Sequence, residues 1–139
     1  MTLTLEFDYN EEAPLISGIH HVKLPVSDVL RSRDWYQRVL GFEPVIDFVE
    51  AGELMGVALR RDHCPPQLAL RRDPERARAL AGFDAMALLV PTRDAVRTWR
   101  DRLDEAGELH GGLVTGHDGG IVLVGLHDPD GIEIRLYAD

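Results

Sequence analysis

The chain repeats itself, because a pattern near its start returns 64 residues later without gaps. The two copies share tryptophans and apolar residues at matching positions: Trp35 with Trp99, Val22 with Met86, Leu24 with Leu88, Val26 with Val90, and Val39 with Leu103. A repeat of this length in a chain of 139 residues predicts one supersecondary unit built twice. The fold should therefore consist of two similar halves.

Each half begins with a strand followed by a helix. Residues 19–26 alternate between apolar and polar positions, which predicts a strand, and Asp28 is a suitable N-cap for the helix that follows. The apolar face of this helix comprises Val29, Ser32, Tyr36 and Val39, and Gly41 is placed to end it. In the second half, residues 83–90 predict the strand, and the helix that follows has the stripe Val96, Trp99 and Leu103.

Three short strand-like runs follow each helix. They are residues 44–49, 54–60 and 67–71 in the first half, and residues 113–116, 121–126 and 132–137 in the second. The sequence therefore predicts an α+β fold of two βαβββ modules, whose curved mixed sheets surround a shared cleft. The predicted boundaries are an N-terminal extension at 1–16, a first module at 17–72, a linker at 73–82 and a second module at 83–139.

Composition and net charge argue against some classes of binding partner. The net charge of −9 argues against nucleic acid, because binding to phosphates needs a basic surface. Neither a membrane-spanning run nor a signal peptide is visible, so we expect no membrane partner. A single cysteine, Cys64, rules out an intramolecular disulfide framework and fits a cytoplasmic location.

Four motifs, in order, resemble one superfamily. They are His20–Asp28, Trp35-Tyr36, Val39–Phe42 and the turn Asp128-Pro129-Asp130-Gly131. Together they resemble the vicinal oxygen chelate (VOC) superfamily, which includes glyoxalase I, bleomycin-resistance proteins and extradiol dioxygenases. The resemblance covers residues 17–137 and implies the fold described above, often built into a homodimer.

The resemblance also implies four positions for metal ligands. Of these, His21 is retained, but the other three fall on Ala69, Ala85 and Arg135, with Gln67 one pleat away from Ala69. A methyl group cannot bind a metal, and a guanidinium has no lone pair to offer. We therefore expect no metal cofactor. The alternative is a divalent metal such as Zn, Ni, Mn or Fe, held by non-standard ligands.

Strand alternation places one set of side chains on the cleft face. The candidate ligand-binding residues are His21, Lys23, Gln67, Arg71, Glu133, Arg135 and Tyr137. Arg135 could bind an anionic ligand group, or it could pair internally with Glu133 or with an acid on a neighbouring strand.

The candidates for catalysis are His21 and Glu133. His21 could be a residual metal ligand, a general base or a structural residue, and alternation turns its neighbour His20 toward the helices. Glu133 could be a general base if burial raises its pKa, or the ion-pair partner of a nearby cation.

These observations predict a protein that binds a small organic molecule in a metal-free cleft. The alternative is a divalent-metal-dependent VOC enzyme, acting as a lyase, isomerase, dioxygenase or transferase. A third possibility is a self-associating or regulatory module without an open cleft.

Overall fold

The computed structural model describes residues 13–139 and contains two four-stranded sheets. The predicted N-terminal extension at 1–16 lies mostly outside these residues. The first sheet has the strand order β1-β4-β3-β2, with bounds β1 His21–Val26, β2 Glu43–Glu50, β3 Glu53–Arg60 and β4 Gln67–Arg72. The second has the order β5-β8-β7-β6, with bounds β5 Asp84–Leu89, β6 Gly112–Thr115, β7 Ile121–His127 and β8 Glu133–Ala138.

Within the described residues, three helices connect the strands: α1 Val29–Leu40, α2 Pro74–Leu80 and α3 Arg93–Glu105. In each sheet the first and last strands pair in parallel, and the remaining pairs are antiparallel. Both halves thus follow the order βαβββ with the same sheet topology. The predicted fold class is confirmed.

Local sequence explains the ends of α1. The side chain of Asp28 accepts a hydrogen bond from the Arg31 N–H, which satisfies one of the free amides at the helix start. Gly41 ends the helix with a left-handed φ of 78°, a conformation that costs glycine little. The buried face agrees with the apolar spacing and includes Val29, Ser32, Trp35, Tyr36, Val39 and Leu40.

The polar stretch predicted as a linker contains α2. Asp73 caps this short helix by accepting from the Arg76 N–H, and Pro74 occupies its first turn, where a missing N–H costs nothing. The side chain of Ala77 is buried beneath it. The stretch between the repeats is therefore anchored to the rest of the protein.

The two halves share one hydrophobic core. The sheet faces that carry Leu24, Leu70, Leu59, Ile134 and Leu136 contribute to it, together with the inner faces of α1 and α3. Because alternate residues of a strand point to opposite sides, the other face of each sheet stays free of this core. Those two free faces carry the predicted site residues.

Polar contacts also join the halves. The Tyr36 hydroxyl in α1 donates to Asp128 Oδ2 at 2.8 Å, although these residues lie far apart in sequence. The backbone N–H of Ser27 donates to Asp130 Oδ2 at 3.0 Å, and the Trp35 indole donates to Glu108 Oε1 at 2.9 Å. The Asp-Pro-Asp-Gly turn of the second half is therefore bonded to the start of the first.

Candidate functional site

A pocket of about 310 Å³ lies on the free face of the first sheet. Strand register sets its floor, because Lys23 on β1, Ala69 on β4, Ala58 on β3 and Ile46 on β2 pair in one row across all four strands. The centre of that row carries only methyl groups, with Ala58 and Ala69 6% and 9% exposed. The sheet therefore forms a shallow, smooth depression between longer side chains on its two edge strands.

The next row of the sheet extends the same depression. Arg71 on β4 pairs with Gly56 on β3, which pairs with Phe48 on β2. A Cβ atom on Gly56 would lie 2.8 Å from the Leu70 carbonyl oxygen and 3.6 Å from Phe48 Cδ2. Glycine is therefore needed here for close packing, and its missing side chain lets the floor continue to the Phe48 ring.

The β1 edge of the pocket is polar. His20, His21, Lys23 and Gln67 line it, and His21 pairs with Gln67 across the parallel strands. The Nδ1 atoms of His20 and His21 lie 3.0 Å apart, a hydrogen-bonding distance. His20 therefore lies beside the pocket and not toward the helices, so the prediction for this residue was wrong. It precedes the first residue of β1, and strand alternation does not govern it.

One end of the pocket is bounded by a paired arginine. Arg71 forms two hydrogen bonds to Glu50, with Nη1–Oε2 at 2.6 Å and Nη2–Oε1 at 3.0 Å. Hydrogen bonding and the charge of Arg71 hold the pKa of Glu50 below its ordinary value. Glu50 thus balances the guanidinium charge of Arg71. The ion pair that they form bounds this end of the pocket and carries no net charge.

The remaining predicted residues lie on the second sheet, away from this pocket. Arg135 Nε lies 2.8 Å from Glu133 Oε2, and its Nη1 lies 3.3 Å from Asp84 Oδ2 on the neighbouring strand β5. The internal pairing considered for Arg135 is therefore present. With two carboxylates beside it, this guanidinium offers no net positive charge to an anion.

Glu133 is held in its ionised form. Partial burial opposes ionisation, but hydrogen bonds from the Gly125 N–H and from Arg135, together with the charge of Arg135, outweigh it and lower the pKa of Glu133. The pKa of Glu133 is thus shifted in the direction opposite to the one that a general base with a raised pKa requires. The Glu133 carboxylate on β8 instead accepts a hydrogen bond from the Gly125 N–H on β7 and so links these two strands.

This lowered pKa predicts an acid-dependent loss of stability. The contribution of Glu133 should be complete above the ordinary value of 4.5 and should be lost as the pH falls through the lower folded pKa. Urea unfolding of the wild type and of Glu133→Gln between pH 3 and 7 measures it. The difference in unfolding free energy should shrink toward low pH. A difference that is constant across this range would contradict the prediction.

Tyr137 does not line the first-sheet pocket. Its ring packs beneath the β6–β7 hairpin, where a Cβ atom on Gly120 would lie 2.9 Å from Tyr137 Cε1. Its hydroxyl is buried without a hydrogen-bond partner in the part of the chain that the structure describes. The structure therefore places Tyr137 in hairpin packing.

The donor set on these two faces does not fit a metal ion. Ala69 and Ala85 carry methyl groups, and Arg135 is a paired cation. Among residues 13–139, no three His, Cys, Asp or Glu side chains are close enough to share a metal. Catalytic metal centres commonly have three protein ligands, so the chemistry of these side chains, with His21 alone retained, does not supply one.

Sequence reasoning did not identify the apolar edge of the pocket, which lies on β2. Ile46 and Phe48 form its apolar edge, and their alternation within residues 44–49 could have indicated this. Register shifts at Pro44/Ile46 and Phe48/Val49 make β2 irregular, which weakens that signal. Lys23, which strand alternation did indicate, is the only lysine in the chain, beside fourteen arginines.

The sequence of this chain matches one known superfamily. A sequence model of the Glyoxalase/Bleomycin resistance protein/Dioxygenase superfamily matches residues 18–136. The chain belongs to this superfamily. No helix within residues 13–139 has the length and hydropathy needed to cross a membrane.

Individual relatives are distant. The putative ring-cleaving dioxygenase MhqA of Bacillus subtilis (strain 168) is 27% identical over 133 residues, which are 89% of this chain and 41% of that protein. The chain thus spans about two fifths of the length of this curated relative.

Two solved structures share the fold. Lactoylglutathione lyase from Agrobacterium tumefaciens superposes with a TM-score of 0.71 at 18% identity, over 88% of this chain and 94% of the other. TnmS3, an antibiotic binding protein from Streptomyces sp. CB03234, superposes with a TM-score of 0.71 at 22% identity, over 91% of this chain and 98% of the other.

Proposed function

We propose that this protein binds a small organic molecule in the first-sheet pocket, without a metal ion. The observation that carries the proposal is the pocket's construction: a floor of Ala58, Ala69 and Gly56 between one polar and one apolar edge. Small-molecule sites are typically concave and largely apolar, with a few polar groups that fix orientation. The volume of about 310 Å³ lies at the lower end of the usual range.

The similarity to TnmS3 supports ligand binding without catalysis as one function that a protein with this fold can have. That protein is described as an antibiotic binding protein, whereas MhqA is described as a putative ring-cleaving dioxygenase. We base the choice between these directions on the site, because a fold does not by itself imply a function. The alkyl side chains at Ala69 and Ala85 favour binding over metal-assisted catalysis.

Blocking the floor tests the proposal. In Ala58→Leu, the larger side chain should fill the depression and weaken any pocket ligand at least tenfold, about 1.4 kcal/mol. The control Ala79→Leu makes the same change at an exposed position of α2. A thermal-shift screen of small organic molecules finds ligands, and calorimetry compares the three proteins. Ligands that bind Ala58→Leu as tightly as the wild type would contradict the proposed site.

The same screen distinguishes the metal-dependent alternative. Protein stripped with a chelator should bind its ligands unchanged, and added Zn²⁺, Ni²⁺, Mn²⁺ or Fe²⁺ should not alter their affinity. Near-stoichiometric metal that is lost in His21→Ala would overturn the metal-free proposal. It would favour a lyase, isomerase, dioxygenase or transferase.

We also propose a cytoplasmic homodimer. Strands β2, β5 and β6 expose several large apolar side chains, including Ile46, Phe48, Val49, Leu89 and Val114. Apolar area of this kind is commonly covered by a partner. Light scattering after gel filtration measures the mass, and a monomer at micromolar concentration would contradict the dimer.

A further inference from the structure

We infer that the first-sheet pocket selects a flat organic monoanion, of which an aromatic carboxylate is the simplest example. This inference rests on the proposed function, and it specifies the chemical class of the ligand. Three features of the pocket carry it: its net charge, the shape of its floor and the separation of its polar and apolar edges.

Within residues 13–139, no acidic group balances the positive charge that Lys23 brings to the pocket. Lys23 is exposed on the β1 edge, and no acidic side chain among residues 13–139 forms an ion pair with it. The nearby guanidinium of Arg71 is balanced by Glu50. In a chain of net charge −9, this local positive charge opposes the overall potential. It favours a ligand with a single negative charge over a neutral molecule or a cation.

Hydrogen-bond donors line the same edge of the pocket as Lys23. The contact between the Nδ1 atoms of His20 and His21 requires one ring to donate and the other to accept. When both rings are neutral, the accepting ring carries its proton on Nε2 and can donate there, whereas the Nε2 atom of the donating ring accepts. The Gln67 amide adds N–H donors on the adjacent strand, and it pairs with His21 in register. A carboxylate, whose two oxygens only accept, matches an edge with the Lys23 ammonium and these donors.

The floor favours a flat molecule. Ala69, Ala58 and Gly56 place nothing longer than a methyl group over two adjacent central strands. Since neighbouring strands lie about 4.8 Å apart, the smooth area is wide enough for one face of an aromatic ring system. A puckered saturated ring would contact such a floor at fewer points and would lose dispersion contacts.

The two edges set the orientation of the ligand. Lys23 and the histidines lie along β1, whereas Ile46 and Phe48 lie along β2, on the opposite side of the floor. A ligand that is anionic at one end and aromatic at the other can satisfy both edges at once. The Phe48 ring offers an aromatic contact for its far end.

Matched ligands and variants test the charge and the shape separately. The probes are benzoate, 2-naphthoate and 4-hydroxycinnamate, with the carboxamide of each acid and the saturated decahydro-2-naphthoate. Calorimetry compares the wild type, Lys23→Gln and the control Arg97→Gln, which removes an exposed cation paired with Asp94 on α3. In the wild type and the control, at least one aromatic acid should bind about tenfold tighter than its amide. Lys23→Gln should abolish that preference.

The single lysine provides an independent readout. Reductive methylation with ¹³C-formaldehyde keeps the charge and labels Lys23 and the α-amino group. The Lys23 methyl signal should shift on titration with the bound acid and not with its amide.

The flat floor predicts a difference between ring shapes. The pocket should bind the saturated decahydro-2-naphthoate several-fold more weakly than the flat 2-naphthoate.

The outcomes separate this inference from the proposed function. If acids and amides bind equally and Ala58→Leu weakens both, the anion inference is overturned and the proposed function stands. If none of the acids binds at millimolar concentration, this inference is also overturned. The proposed function fails only if the broader screen yields no ligand that is sensitive to Ala58→Leu.

Discussion

Replacing Asp128 by alanine should destabilise the protein by about 3–5 kcal/mol, because it removes three hydrogen bonds from a buried carboxyl group. Asp128 is 4% exposed, and its Oδ2 accepts from the Tyr36 hydroxyl at 2.8 Å. Its Oδ1 accepts from the N–H groups of Asp130 and Ile132 at 2.9 and 3.0 Å. Alanine leaves these donors without a partner inside the protein. Urea unfolding at neutral pH measures the loss.

Two milder variants identify the cause. Tyr36→Phe keeps the ring and leaves only Asp128 Oδ2 unpaired, so it should cost about 1–3 kcal/mol. Asp128→Asn can keep both backbone bonds at Oδ1 and can direct its amide to the Tyr36 oxygen, which is able to accept. We expect it to be the least destabilising of the three. If Asp128→Asn were as damaging as Asp128→Ala, the negative charge and not the hydrogen bonds would be responsible.

The same residue predicts a pH dependence of opposite sign to that of Glu133. Burial raises the pKa of Asp128 above its ordinary value of 3.8, although hydrogen bonds from Tyr36, Ile132 and Asp130 oppose the rise. The native state therefore keeps this proton at a pH where the unfolded chain has lost it. The contribution of Asp128 to stability is largest below 3.8 and falls as the pH rises through the folded pKa. Relative to Asp128→Asn, the wild type should thus lose stability over that interval.

The fold was predictable because each of its determinants is local. Asp28 and Gly41 determine where α1 begins and ends, and the alternation of Val22, Leu24 and Val26 determines which face of β1 is buried. Because the pattern returns after 64 residues, it predicts the same strand and helix in the second half. Such signals need no knowledge of distant contacts, because they depend on backbone geometry and side-chain periodicity alone.

The site was less predictable because it depends on pairing between strands. Alternation assigned Ala85 to the free face of the second sheet, but a register shift between Asp84 and Met86 pairs Asp84 with Glu133. That shift supplies the second carboxylate beside Arg135, a contact that no local pattern indicates. In the first sheet, alternation placed His21 and Lys23 on the face where the pocket lies, whereas the irregular strand β2 concealed Phe48. Irregular strands therefore limited the prediction more than residue chemistry did.

Replacing Gly125 by alanine should destabilise the second sheet by about 2–5 kcal/mol, since it combines backbone strain with a steric clash. Gly125 has a φ of 75° and lies where the β7–β8 register shifts between Leu123 and Leu126. A Cβ atom there would lie 2.6 Å from the backbone nitrogen of Gly111, closer than real Cβ contacts allow. Backbone must move to relieve the clash, because no flexible side chain is involved.

Alanine at a second glycine separates the cost of backbone strain from the cost of the steric clash. Gly52 has a φ of 78°, but a Cβ atom there would meet nothing within 4 Å. Gly52→Ala should therefore cost only the conformational strain, about 1–2 kcal/mol. Unfolding of both variants in urea gives the difference, which measures the clash. Equal losses would mean that the β6–β7 region yields freely to the added methyl group.

The Gly125→Ala variant should also affect the ion pair between Glu133 and Arg135 on the second sheet. The Gly125 N–H donates to Glu133 Oε2 at 2.9 Å, and the same oxygen lies 2.8 Å from Arg135 Nε. Moving the backbone at Gly125 should weaken this hydrogen bond, so the pKa of Glu133 should rise toward its ordinary value. NMR titration of the Glu133 carboxyl carbon in the wild type and in Gly125→Ala measures that rise. Because the first-sheet pocket shares none of these residues, its ligand affinity should not change in folded Gly125→Ala.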